Sequence, residues 1–149
     1  MTMLFRDARA EDLDALLRLY RHLSPEDPVL PPDDARPRLA ALLASDIAHL
    51  LVMEQSGEVA ATCLLLIVPN LTRGGRPFAI IENVVTLAHH RRQGLGMALL
   101  RAAQDRAFAA GCYKIMIATG RTDEGVLRFY EEAGFKRGGK TFFEIRRLG

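Results

Sequence analysis

Two glycines one residue apart interrupt an otherwise regular pattern. They lie between FAIIENVVTL (78–87), a β-prone run, and a helical stretch from Gly94 to Ala110. A second short apolar run, YKIMIAT (113–119), follows the helix. Strand, glycine turn, helix, strand is a crossover, so the chain belongs to the α/β or α+β class. The turn reads RRQGLG, Arg91 to Gly96. It precedes a helix whose first backbone N–H groups have no intrahelical acceptor and whose dipole is positive at that end. Phosphate is the natural guest of such a turn.

The flanking segments complete one domain. Leu13, Leu16, Leu17, Tyr20 and Leu23 recur at helical spacing, which predicts a helix over about Ala10–Leu23. Four prolines in SPEDPVLPPDD (24–34) end it in a long loop, and a second helix is expected over Arg38–Ala44. HLLVMEQSGEVAATCLLLIVP reads as a hairpin around Ser56-Gly57. Val126, Phe129, Tyr130 and Ala133 share one face of a last short helix, closed by Gly134. FKR and TFFEIRR read as closing strands. No linker or repeat divides residues 1–149, so a single domain is expected.

Composition excludes several classes. A net charge of +2, with no Lys/Arg run longer than two, argues against nucleic acid. The longest apolar run, Val59–Val68, is too short to span a bilayer and no signal peptide is evident, so a cytoplasmic protein is expected. Cys63 and Cys112 sit in strand-like apolar surroundings and read as buried reduced thiols. No metal is expected.

The identity of the anion needs more than the turn. No Gly-Lys-Ser/Thr follows, which removes the Walker A reading. The dinucleotide fingerprint needs a third glycine where Leu99 stands, and an early position in the chain. A diphosphate held by another fold remains.

Arg91-x-x-Gly94-x-Gly96 between a strand and a long helix resembles the acyl-CoA-binding motif of the GNAT superfamily of N-acetyltransferases. FRDARAEDLDALLRLY is similar to its opening strand and helix, and VLRFYEEAGFKR to its closing helix and strand. The resemblance implies a mixed, mostly antiparallel central sheet flanked by about four helices. IENVV and GCYKI look most like the glucosamine-6-phosphate N-acetyltransferase branch. The acidic residue that branch carries on the following strand is replaced here by Ala118. Donor binding therefore carries over, and the sugar substrate does not.

The same resemblance implies roles. Amides of Arg92, Gln93, Gly94, Leu95, Gly96 and Met97 would cradle the CoA diphosphate, with Arg91 adding charge. Val84, Val85 and Thr86 would pair with the pantetheine arm of acetyl-CoA, and an N–H near Val85 would hold the oxyanion. Asp123 stands where relatives carry an Asn on the cofactor, and it could equally cap the last helix. Tyr130 matches the family's acid for the departing thiolate. Glu82, the one acidic residue of its strand, is the leading base. His89 and His90 read better as a solvated turn.

A small-molecule amine is the expected acceptor. Acidic SPEDPVLPPDD and basic NLTRGGRP, with Arg73 and Arg76, are expected to border its site. The alternatives are a protein N-terminal or lysine acetyltransferase, and a non-catalytic acyl-CoA-binding module. Dimers are common among similar proteins, so a homodimer is the expected assembly.

Overall fold

A computed structural model describes residues 2–91 and 94–147. The chain forms two compact units, Met1–Ile117 and Ala118–Gly149. The first holds a five-stranded sheet in the order β1-β2-β3-β4-β5. These are β1 (Met3–Asp7), β2 (Ala48–Gln55), β3 (Glu58–Val68), β4 (Phe78–Thr86) and β5 (Ile115–Ile117). The first four pair antiparallel; β5 joins β4 in parallel. The sheet is therefore mixed and mostly antiparallel, as the resemblance implies.

Strand alternation splits the buried residues between two faces. Leu50, Val52, Val59 and Val85 pack with Leu13, Leu16, Leu19, Ala35 and Leu39. These come from α1 (Leu13–Leu23), entered through a 3-10 turn at Ala10–Asp12, and α2 (Pro32–Ala44). α3 (Leu95–Ala109) packs against β2, β3 and β4 and buries Leu99, Leu100, Ala103 and Ala107 completely. Burying each such leucine contributes roughly 2 kcal/mol. Ser56 (φ 52°) and Gly57 (φ 83°) both take the left-handed conformation, which a tight hairpin turn between β2 and β3 demands.

Two expectations are corrected. α2 begins at Pro32, not Arg38, and carries Pro37 inside it. Proline at the first helical position loses nothing, because that N–H would be unpaired anyway, and Asp33 and Asp34 suit the positive helix end. Only Pro37 removes a helical hydrogen bond. The second correction concerns the end of the chain. Residues 135–147 form no strand. Phe142, Phe143 and Ile145 are 69%, 87% and 97% exposed. β propensity expresses fit to a paired, half-buried surface, and no strand pairs with FKR or TFFEIRR among the described residues.

The second unit holds α4 (Glu124–Glu132). Among the described residues, no helix is long and apolar enough to cross a membrane. Cys63 and Cys112 are buried and unbridged. Burial pushes the Cys63 thiol up to about 12 and that of Cys112 up as well, which leaves both poor nucleophiles.

Candidate active site

β4 does not run straight. Glu82 pairs with Leu64 and Val85 with Thr62, so Asn83 and Val84 together oppose Cys63 alone. This is a β-bulge, and Asn83 takes the left-handed conformation (φ 56°) that its short polar side chain tolerates. The parallel pairing with β5 stops at Ile81–Ile117, just before the bulge. From Glu82 to Thr86, β4 has no ladder partner on its β5 side among the described residues. Such an edge can accept an extended amide-bearing ligand as an added strand. The Val85 side chain is buried in the core, so that residue offers its backbone.

The edge leads directly to the glycine turn. After β4 come Leu87, a 3-10 turn at Ala88–His90, and Arg91, whose Nε donates to the Thr86 carbonyl (3.4 Å). Arg92 and Gln93, both assigned to the diphosphate cradle, lie outside the described residues. Gly94 caps α3 in the left-handed conformation (φ 78°), and the Ala98 N–H donates back to its carbonyl (2.9 Å). The amides of Leu95, Gly96 and Met97 therefore lack acceptors within the helix. Leu95 is 1% exposed, which anchors the turn to the core. A Cβ on Gly94 would meet nothing within 4 Å, so substitution there strains the backbone without a clash. Gly94→Ala is expected to lower unfolding free energy by about 1 kcal/mol in a denaturant titration.

Glu82 is exposed, and its carboxylate has no hydrogen-bond partner among the described residues. It stands at the point where β4 leaves β5. The histidines differ from expectation. His90 is only 14% exposed, and both rings direct Nε2 at one Glu58 oxygen, His89 at 2.9 Å and His90 at 3.0 Å. Loss of water pushes the Glu58 carboxyl up, but the two hydrogen bonds prevail and hold it below the usual range. No sequence signal joins Glu58 to residues 31 and 32 positions away; hairpin and crossover bring them together.

Arg73 and Arg76 are also placed differently. They sit before the first residue of β4, and the seven steps from Phe78 to Val85 span roughly 23 Å of strand. Both guanidiniums lie over the Tyr113 ring, at 5.4 and 5.6 Å, beside Lys114 at 5.4 Å. NLTRGGRP thus gathers at the start of β5, far from the Val84–Thr86 edge.

In the second unit, Tyr130 packs edge-to-face against Phe129 (5.2 Å) and Phe135 (6.3 Å). The face Val126, Leu127, Phe129, Tyr130 is half-buried, and Ala133 is buried beyond it. Asp123 stands at the N-cap of α4, where its carbonyl accepts from Val126 and Leu127. Its carboxylate does not cap the helix and instead accepts from Arg121 Nε (3.0 Å).

A bulged strand with an open edge that runs into a left-handed glycine and a long helix is a specific arrangement. The model of the Acetyltransferase (GNAT) family matches residues 16–135. The chain belongs to this family. It is 31% identical to a glucosamine 6-phosphate N-acetyltransferase from Trypanosoma brucei brucei, over 84% of this chain and 83% of that protein. It is 32% identical to glucosamine 6-phosphate N-acetyltransferase 1 from Oryza sativa subsp. japonica, over 80% and 72%. A solved structure from Agrobacterium tumefaciens str. C58, which bears an acetyltransferase designation, superposes with a TM-score of 0.93 at 47% identity, covering 97% of this chain and 99% of that one. The chain is accordingly an N-acetyltransferase.

Proposed function

We propose that this single-domain enzyme transfers the acetyl group of acetyl-CoA to a primary amine of a small molecule in the cytoplasm. The observation that carries the reading is the β4 edge over Glu82–Thr86, which has no β5 partner among the described residues and is followed in the chain by Gly94 and the α3 amides. The edge suits the two amides of a pantetheine arm, and the turn suits its diphosphate. The two named sugar-phosphate acetyltransferases support an amine acceptor of low mass.

In the reaction, the neutral amine attacks the thioester carbonyl. An N–H near Val85 stabilises the oxyanion as charge moves onto oxygen. Collapse of the tetrahedral intermediate breaks the C–S bond, and the thiolate takes a proton from the Tyr130 phenol. The proton lost by the amine passes to Glu82. Asp123, already engaged with Arg121, takes a supporting place at the donor rather than in the chemistry.

Calorimetry with acetyl-CoA, followed by a free-thiol assay over a panel of small amines, tests the reading. Absence of acetyl-CoA binding overturns it. Glu82→Gln is expected to lower kcat/KM about tenfold, below the usual 10²–10⁴-fold of general acid–base catalysis because water reaches an exposed carboxylate. The acidic limb of the pH–rate profile should change with it. An unchanged profile would assign the proton to a water chain.

A further inference from the structure

The geometry points to a divalent transition-metal site formed by Glu58, His89 and His90. Glu58 opens β3 directly after the hairpin turn, and the histidines occupy the 3-10 turn that precedes the Gly94 cradle. One ligand atom from each of the three lies within 4.8 Å of the others. Two imidazoles and a carboxylate are the donor set that borderline ions such as Zn²⁺ prefer. Tetrahedral bonds of about 2.1 Å place ligand atoms about 3.4 Å apart. The present Nε2–Oε1 separations of 2.9 and 3.0 Å need open by only a few tenths of an ångström.

The site is preformed and accessible. The His90 ring is held by burial and lies 4.3 Å from that of His89. His89 and Glu58 are 66% and 42% exposed, which leaves an entry path and room for water at a fourth position. In the metal-free arrangement a single carboxylate oxygen serves two N–H donors. A cation there displaces both Nε2 protons, to Nδ1 or to solvent, and exchanges the two hydrogen bonds for coordination; it ties the β2–β3 hairpin to the segment that leads into the anion turn. Occupancy should therefore stiffen that turn; on the donor reading proposed above, it lowers the KM for acetyl-CoA.

The test uses untagged, chelator-treated full-length protein. Calorimetry with ZnCl₂ should show one ion bound per chain. Co²⁺ should give visible bands of tetrahedral intensity. His89→Ala and Glu58→Gln should each weaken binding at least tenfold, since even outer-shell changes cost 10–100-fold. Zn²⁺ should raise the thermal midpoint of the parent protein and not of the variants. Both substitutions are mild, one at an exposed ring and one isosteric, and matching metal-free midpoints would verify the fold. No saturable binding, or equal affinity in the variants, overturns the proposal. These readouts need no acetyl-CoA, so they stand apart from the catalytic reading.

Discussion

Tyr130→Phe is expected to cut kcat about 100-fold while leaving the KM for acetyl-CoA near its parent value. The substitution removes one hydroxyl and keeps the ring between Phe129 and Phe135, so the aromatic packing should hold. In the proposed mechanism the hydroxyl acts late, when the C–S bond breaks. A phenol of pKa about 10 loses its proton to a thiolate whose acid has a pKa of about 8.5, uphill by roughly 2 kcal/mol. That is a small cost against releasing an unsolvated thiolate. General acids of this kind contribute 10²–10⁴-fold. Steady-state kinetics at saturating acetyl-CoA check it, and an unchanged kcat would remove Tyr130 from the chemistry.

Arg6→Ala is expected to lower the unfolding free energy by about 3 kcal/mol and the thermal midpoint by roughly 10 °C. The guanidinium grips Asp12 with both Nη atoms, at 2.8 and 2.9 Å, and its Nε donates to Glu54. The Asp12 carboxylate also accepts from the Arg9 amide (2.7 Å). All three side chains are less than a fifth exposed, so removing the cation strands two carboxylates out of water. The pH dependence follows from Asp12. The hydrogen bonds from Arg6 hold its carboxyl below the ordinary 3.8, against the opposing effect of burial. A carboxyl depressed in the folded state stabilises it above its unfolded pKa, and that stability drains away as pH falls through the folded value. The gap between parent and Arg6→Ala should therefore narrow below about pH 4. Chemical denaturation from pH 7 to pH 3 measures it, and a constant gap would show that the carboxylates do not carry the effect.

Much of this was legible in the residues. The Leu13–Tyr20 spacing, the Ser56-Gly57 turn and the apolar run at 78–87 produce α1, the hairpin and β4 where expected, because each is a local pattern. Gly94 was legible as the start of α3, and its left-handed conformation there is one that glycine adopts without strain. The bulge was not. ENVV reads as uninterrupted strand, and only pairing against Cys63 and its neighbours turns Asn83 left-handed. The stop of β5 at Ile117 depends on its partner in the same way, as does the absence of strands in residues 135–147.

By itself the sequence determined the order of elements from α1 to α4, the helical faces and the glycine that opens α3, because side-chain periodicity and glycine dihedrals act over a few residues. Tertiary structure alone decided that β4 would part from β5 beyond Ile81, leaving Glu82–Thr86 without a ladder partner on that side among the described residues. It also brought Glu58 to His89 and His90, and held Arg73 and Arg76 on Tyr113 away from that edge. Those outcomes rest on strand register and on contacts between residues tens of positions apart, which no local pattern encodes.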